Sequence, residues 1–353
     1  MLYSFKASAK DAAEPVAALI VDTQGALYGT TQNGGASGLG TVFKLAPPAS
    51  GTGPWIESIL YSFTGAADGA YPEAELIFDT QGALYGTASS GGGSSNAGLV
   101  FKLTPPASGQ TQWAFKVLYT FKGGADGGQP NSGLIFDTQG ALYGTAAAGG
   151  SSNAGTVFKL TPPASSTVTW SESVLYSFKG GADGASPYAS LIFDSRGALY
   201  GTTILGGSSN AGTVFKLTPP VSGTARWIES LLYTFKGGTD GYGQGKLVSD
   251  ASGALYGITQ DAQMTPPRVG QGTVFKLTRP VSGAGAWTET VLYNLKNSGA
   301  LLEEGLVFDT QGSLYGVTWD GGSANKGAVF KLTPSATSAG PWTQTVHSSR
   351  TAV

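Results

Sequence analysis

Cysteine is missing from this sequence of 353 residues, and histidine occurs once, at His347. Without cysteine the chain has no disulfide bond, no thiolate metal site and no thiol nucleophile. A single histidine near the C-terminus excludes imidazole metal clusters and Ser-His-Asp catalysis. Stability therefore has to come from packing, and we expect neither a metal nor a cofactor.

Charge and long apolar runs are also scarce. Charged residues make up 12% of the chain and the formal net charge is -2, so the clustered Lys and Arg that bind nucleic acid are missing. No apolar stretch reaches the roughly 18 residues that span a bilayer. We expect no nucleic-acid partner and no membrane insertion. No signal peptide or sorting signal is recognisable, so an exported form is expected to carry such segments outside these residues.

Glycine, in contrast, is abundant at 55 residues, and 41% of the chain is hydrophobic, which is typical of many short strands joined by tight turns. The motif Leu-Tyr-Gly recurs six times, at intervals of 56 to 59 residues, beginning at Leu27, Leu84, Leu142, Leu199, Leu255 and Leu314. Each copy is followed by Val-Phe-Lys-Leu and then by a tryptophan. The chain is therefore an array of six repeats.

Each repeat is predicted to contain four antiparallel strands, named A to D in chain order. In the second repeat an Asp-to-Gly turn joins strand A, at 76–79, to strand B, at 83–87, which favours a hairpin. Strand C covers 99–103, and strand D, with its apolar and polar alternation, covers 113–121. Six such repeats predict an all-β, six-bladed β-propeller. A parallel β-solenoid is the rival fold, but its coils are shorter and tight turns specify hairpins.

The two ends of the chain contain complementary parts of strand D. Residues 2–5 resemble its end, and residues 342–346 resemble its beginning. We therefore expect one domain over 1–346, a monomer, in which both termini pair against strand C of the last blade and close the ring. Residues 347–353 are expected to form a tail outside the ring.

Two segments, 155–160 and 212–217, read Gly-Thr-Val-Phe-Lys-Leu and are preceded by Gly-Gly-Ser-Ser-Asn-Ala and by Leu-Tyr-Gly-Thr. In these features the chain resembles the bacterial choice-of-anchor tandem repeat called GloVer, over nearly its whole length. The resemblance implies a surface-exposed or secreted bacterial protein, whose family often carries a C-terminal sorting signal. It supplies no catalytic residues.

Charged candidates are concentrated in the loops from B to C and from D to A, on what we call the top face, where ligands usually bind. Of the 22 acidic residues, 14 recur by position and are interpreted as structural. The other eight lie in repeats 5, 6, 1 and 2: Asp11, Glu14, Glu73, Glu75, Asp261, Glu303, Glu304 and Asp320. Basic residues in the same sector are Lys10, Lys246, Arg268 and Lys326. They form a binding sector or reflect the tolerance of loops for charge.

Aromatic side chains add a second group of candidates. Trp319 replaces a small residue beside Asp320, where an indole could stack on a sugar ring. Three tyrosines near the start of strand A could assist it: Tyr71, Tyr188 and Tyr242. The divergent loop 260–268 is a further candidate, with sequence drift as the alternative. The repeated Asp-Gly loops could hold calcium, but their single carboxylate favours turn capping.

Two functions remain open from the sequence. Rigid repeats, the lack of histidine within them and a variable top face favour a non-enzymatic extracellular binding or scaffold module for a carbohydrate or protein ligand. The alternative is a carbohydrate-active enzyme, a glycoside hydrolase or polysaccharide lyase, in which carboxylates such as Glu303 and Asp320 act as acid and base.

Overall fold

The computed structural model of the protein describes residues 2–6, 11–164, 169–221, 226–238, 240–260, 272–280, 285–294, 302–318, 327–335 and 342–349. Within them the chain forms 26 strands, one turn of 3-10 helix and no α-helix. No helix in this part is long and apolar enough to cross a membrane. The chain divides into two compact units, residues 1–178 and 179–353, and each unit contains three repeats.

The first unit contains three four-stranded antiparallel sheets and a two-stranded one. In the sheets of repeats one to three, the strands from A to D are β2 Ile20–Val21, β3 Leu27–Thr31, β5 Thr41–Ala46 and β6 Ile56–Ser62; β7 Ile77–Phe78, β8 Leu84–Ala88, β9 Leu99–Thr104 and β10 Ala114–Thr120; β11 Ile135–Phe136, β12 Leu142–Ala146, β13 Thr156–Thr161 and β14 Ser171–Ser177. The two-stranded sheet pairs β1 Ala12–Ala13 with β4 Asn33–Gly34.

The second unit contains one four-stranded and one eight-stranded sheet. Its three repeats comprise β15 Ile192–Phe193, β16 Leu199–Thr203, β17 Thr213–Thr218 and β18 Ile228–Thr234; β19 Tyr242–Ser249, β20 Leu255–Gln260, β21 Thr273–Thr278 and β22 Thr288–Asn294; β23 Leu302–Phe308, β24 Leu314–Thr318, β25 Ala328–Thr333 and β26 Thr343–Ser349. The prediction of four antiparallel strands per repeat is thus confirmed.

Strand A differs in length between the repeats, a difference that the sequence reading did not predict. It has two residues in repeats one to four, but eight in β19 and seven in β23. The four short strands each follow a proline by five residues: Pro15, Pro72, Pro130 and Pro187. Proline has no amide hydrogen and interrupts the ladder. Where it is missing, β19 and β23 extend and pair in parallel at Lys246 and Gly305, which joins two repeats in one sheet.

Each turn between strands A and B is fixed by its aspartate. The Asp79 carboxylate accepts hydrogen bonds from the amides of Gln81 and Ala83, both at 2.9 Å, and from the Tyr85 hydroxyl at 3.1 Å. Lys102 Nζ lies 3.2 Å from the same carboxylate and 4.9 Å from the centre of the Tyr85 ring. The two amide bonds recur in the other repeats, at Asp22, Asp137, Asp194, Asp250 and Asp309. The structural interpretation of these six aspartates is confirmed.

The sheets pack through a recurrent phenylalanine on strand C. Phe101 is fully buried, with its ring centre 5.3 Å from that of Phe63 and 5.6 Å from that of Phe115. Gly86 on strand B lies against the same ring, because a Cβ at this position would come within 2.6 Å of Phe101. The glycine of Leu-Tyr-Gly is therefore needed for close packing between strand B and the aromatic core.

The last sheet departs from the predicted ring closure. Its outer strand, β26, pairs with every residue of β25, so it supplies the full length of an outer strand by itself. The prediction that the two termini share this strand is therefore wrong, and residues 2–6 lie outside any strand. The strand also includes residues 347–349, which the sequence reading places in a tail beyond the domain boundary at 346.

Candidate functional site

The candidate site is a pocket of about 220 Å³ in the first unit. It lies where the loops before strand A meet the ends of strand B, on the predicted top face. Its lining consists of three amides, two hydroxyls, one tyrosine and one carboxylate: Gln32, Gln129, Asn131, Ser89, Ser90, Tyr71 and Glu73. The pocket lining therefore offers many neutral hydrogen-bond donors and acceptors, and one carboxylate.

Two loops on this pocket share an unusual backbone. Tyr71 and Gln129 occupy equivalent positions in their repeats, each before a proline, with left-handed φ angles of 55° and 56°. This conformation costs a residue other than glycine about 1–2 kcal/mol. Backbone hydrogen bonds hold it, since the Tyr71 amide donates to the Leu39 carbonyl at 2.9 Å and its own carbonyl accepts from the Ser89 amide at 3.2 Å.

The same backbone conformation recurs in the first and fourth repeats, at Glu14 and Ser186. One rigid loop geometry therefore presents four different side chains, whereas the phenylalanine on strand C is the same in all six repeats. Backbone strain and side-chain variety on a constant scaffold are typical of positions that contact ligands.

The pocket carboxylate is held in place by an amide. Gln32 Nε2 donates a hydrogen bond of 2.6 Å to Glu73 Oε1. The Ser89 hydroxyl donates to the Tyr71 carbonyl at 3.1 Å, which ties the end of strand B to the loop before strand A. A single fixed carboxylate is suited to accepting hydrogen bonds from a ligand, while acid and base catalysis of glycoside cleavage uses a pair of carboxyl groups.

One pocket residue has an unused acceptor. Asn131 Oδ1 is buried and has no hydrogen-bond partner in the described part of the chain. A buried polar atom without a partner costs roughly 1–3 kcal/mol. Asn131 also lines the pocket, so a ligand hydroxyl that reaches Oδ1 would satisfy this acceptor.

Of the predicted site residues that the structure describes, two line the pocket: Tyr71 and Glu73. Glu14 lies beside Gln32, because the backbone amide of Gln32 donates a hydrogen bond of 3.0 Å to the backbone carbonyl of Glu14. The Glu14 carboxylate accepts a hydrogen bond of 2.7 Å from Asn33 Nδ2. Glu75 is half-buried and is not among the residues that line the pocket. The sequence therefore predicted the correct face of the first two repeats, but few of the side chains that line the pocket.

Other predicted residues have structural surroundings. Asp11 is 4% exposed and accepts a hydrogen bond of 2.8 Å from the Lys6 amide. In the second unit Tyr242 begins β19 and packs against the hydrophobic core, and Lys246 lies on the same strand. Tyr188 is half-buried in the loop before β15. None of these residues is among those that line the pocket.

Several predictions cannot be compared with the structure. Glu303 and Glu304 lie on β23, but their side chains are outside the described part. The remaining candidates lie outside the described residues: Lys10, Asp261, Arg268, Trp319, Asp320 and Lys326, with most of the loop 260–268.

The turn-capping interpretation of the Asp-Gly loops is confirmed, because the aspartate of each loop accepts a hydrogen bond from a nearby backbone amide: Asp68, Asp126, Asp183 and Asp240. Among the described residues no cluster of three or more acidic or histidine side chains could hold a metal ion.

Five of the seven pocket residues are neither acidic nor aromatic, and the sequence did not predict them. The missed residues are uncharged: Gln32, Ser89, Ser90, Gln129 and Asn131. A usable signal was available in the repeats themselves, since Gln129 and Asn131 occupy the positions of Tyr71 and Glu73. A comparison of the positions that vary between repeats, without regard to charge, therefore points to Gln129 and Asn131.

Three overlapping segments of the chain, 1–192, 57–265 and 136–351, match the model of the Gloeobacter/Verrucomicrobia repeat. The chain belongs to this family. The matches cover almost all of the sequence, which confirms the GloVer resemblance. No curated protein matches the chain.

Solved structures resemble this family member at low sequence identity. A putative 6-phosphogluconolactonase from Bacteroides uniformis is 15% identical with a TM-score of 0.55, covering 95% of this chain and 86% of its own. A putative glucose dehydrogenase from Thermus thermophilus is 14% identical with a TM-score of 0.53, covering 90% and 96%. PorZ of Porphyromonas gingivalis is 15% identical with a TM-score of 0.49 over 89% of this chain, which spans 40% of PorZ. The first two likenesses show a shared fold alone.

Proposed function

We propose that this protein is a binding module whose pocket at Gln32, Tyr71, Gln129 and Asn131 holds an uncharged saccharide. The observation that carries the proposal is the lining, in which amides and hydroxyls surround a single carboxylate. Sugar hydroxyls both donate and accept hydrogen bonds, so they match such a lining. Tyr71 in the lining supplies an apolar ring face on which a sugar ring can stack.

The electrostatics of the pocket support a saccharide over a charged ligand. No lysine, arginine or histidine is among the residues that line it, so a phosphate or carboxylate ligand would have no countercharge. The carboxylate of Glu73 is already engaged by Gln32. A cationic ligand would meet a single carboxylate in the lining, and that carboxylate already accepts a hydrogen bond from Gln32.

The wider proposal is that the six repeats form one six-bladed, monomeric ring that acts outside the cell. Six four-stranded repeats support the ring, and the surface-exposed or secreted proteins that the sequence resembles support the location. Small-angle scattering tests the ring, because a linear array would give a longer maximum dimension. Antibody labelling of intact cells tests the location.

Asn131→Ala is expected to weaken saccharide binding about 10-fold or more, because it removes a polar partner of a desolvated ligand. A glycan array first identifies the saccharide, and titration calorimetry then compares the variant with the wild type. Asn153→Ala is the control, since Asn153 Oδ1 accepts the Gly149 amide in another loop. Equal affinities of the wild type and Asn131→Ala would contradict the assignment of the pocket.

An activity screen against polysaccharides separates binding from the alternative of carbohydrate cleavage. The binding module is expected to leave every polymer intact. Reproducible turnover that disappears in Glu303→Gln or Asp320→Asn would replace the binding proposal with the enzymatic one.

A further inference from the structure

Residues 2–6 contact the first sheet through a defined set of interactions. The Phe5 and Phe43 rings meet edge to face with their centres 5.1 Å apart. The Tyr3 hydroxyl donates to Glu57 at 3.1 Å, and the Lys6 amide donates to Asp11 at 2.8 Å. This is a specific mode of docking, because an aromatic ring, a hydroxyl and a backbone amide each have a partner.

The same interactions join the end of one outer strand to the next sheet in other repeats. At the end of β6, Phe63 packs edge to face on Phe101 at 5.3 Å, the Tyr61 hydroxyl donates to Asp68 at 3.0 Å, and the Thr64 amide donates to Asp68 at 2.9 Å. The phenylalanine contact recurs at similar distances, in the pairs Phe121 with Phe158 and Phe235 with Phe275. Residues 2–6 therefore take the place that a neighbouring strand end takes elsewhere.

One difference separates residues 2–6 from those strand ends. Residues 60–62 belong to β6, which is hydrogen-bonded along its own sheet, whereas residues 2–6 lie outside any strand. Tyr3 and Phe5 instead pack against the core of the first sheet, in a groove formed by Leu27, Phe43, Leu45, Trp55 and Ile59. We call this the acceptor groove. The acceptor groove therefore binds residues 2–6 mainly through two aromatic side chains that lie two residues apart, Tyr3 and Phe5.

We propose that the acceptor groove is a docking site for an extended Leu-Tyr-Ser-Phe-Lys segment, and that a second copy of this chain can fill it with its own residues 2–6. The contacts would be identical within one chain and between two copies, so the exchange loses no interaction. Only the effective concentration of the segment changes. The groove selects the segment by an apolar floor for Phe5 and by acidic acceptors at Glu57 and Asp11 for the tyrosine hydroxyl.

The test uses the full chain with Tyr3→Ala and Phe5→Ala, which weakens the segment in place and frees the acceptor groove. A fluorescently labelled Leu-Tyr-Ser-Phe-Lys peptide is titrated against this variant, and binding is followed by anisotropy. We expect saturable binding to the variant, and binding to the wild type roughly 10²-fold weaker, because its own segment competes at an effective concentration near millimolar. The control peptide, with alanine in place of tyrosine and phenylalanine, is expected not to bind.

The second copy is tested by mixing the variant with wild-type protein and measuring the mass by sedimentation equilibrium as both concentrations approach about 1 mM. The proposal predicts a 1:1 complex that increases over this range, because a second copy then competes with the intramolecular segment, while the variant alone stays monomeric. Failure of the peptide to bind a folded variant, judged by circular dichroism, would overturn the docking site. Peptide binding without the mixed complex would overturn the second copy as its occupant. If the double variant does not fold, Phe5→Ala alone undergoes the same two measurements.

Discussion

Phe101→Ala is expected to lower the free energy of unfolding by about 3–5 kcal/mol, the usual range for removing a fully buried aromatic ring. Phe101 is completely shielded from solvent and contacts both Phe63 and Phe115. Gly86 lies against one edge of the ring, so truncation leaves a cavity next to a position with no side chain to fill it. Chemical denaturation followed by circular dichroism measures the loss.

Ile56→Ala is the control for the Phe101 variant. Ile56 is also a large apolar residue on a strand of the first unit, but its side chain is 62% exposed. We expect a change within about 0.5 kcal/mol, as for most surface substitutions. Similar losses for the two variants would show that the phenylalanine core does not stabilise the sheets as described.

Stability is also expected to fall as pH rises from about 5 to 8. The cause is three glutamates at equivalent positions on strand D, Glu172, Glu229 and Glu289. In each, Oε1 is buried and has no hydrogen-bond partner in the described part of the chain. Burial is the largest cause that raises the pKa of each glutamate, and the charge of a nearby aspartate adds to it, so that the pKa is about 7. The positive charge of a nearby lysine lowers the pKa and offsets part of the increase.

The sign follows from the two states of the chain. In the unfolded chain these glutamates ionise near pH 4.5, whereas in the folded protein they keep their protons to about pH 7. The stabilisation is therefore complete below about pH 4.5 and is lost as pH rises through about 7. With a discount for partial exposure we expect about 1 kcal/mol for each residue, or about 3 kcal/mol in total. Melting temperatures measured at about pH 5 and about pH 8 should show the loss.

The sequence provides its own control for the pH effect. Gln344 occupies the equivalent position in the sixth repeat and accepts a hydrogen bond from the Tyr293 hydroxyl, so the fold accommodates an amide here. The triple variant Glu172→Gln, Glu229→Gln and Glu289→Gln is expected to remain folded and to lose most of the pH dependence between about pH 5 and 8. The rest is assigned to Glu57, because burial, and then its contact with Asp11, also raise its pKa. An unchanged slope in the triple variant would assign the pH dependence to other groups.

The strands were predictable because local patterns fix them. The Asp-to-Gly turns, exemplified by Asp79, accept amide hydrogen bonds as their sequence suggests, and the alternation of strand D follows from one buried and one exposed face. The pairing of β19 with β23 was missed, because it depends on missing prolines and on contact between different repeats. The predicted strand pairing of residues 2–5 was wrong for a related reason. A segment that matches the end of a strand in sequence does not thereby show which strand it pairs with.

The site was less predictable than the fold. Asp11 was predicted as a binding residue because it is acidic and lies in a loop. In the structure it is buried and accepts a hydrogen bond from the Lys6 amide. Gln129 and Asn131 reach the pocket because a left-handed residue and a proline set the direction of their loop, which composition does not reveal. Three-dimensional convergence of uncharged side chains from three repeats had to be seen in the structure.

The central claim is that the pocket at Gln32, Tyr71, Gln129 and Asn131 binds a saccharide, and its most direct test is a crystal structure of the protein soaked with the best ligand from a glycan array. The account predicts ordered sugar density in this pocket, with a ligand hydroxyl within hydrogen-bond distance of the Asn131 side chain. Density for the same ligand at another site, with this pocket holding only water, would contradict it.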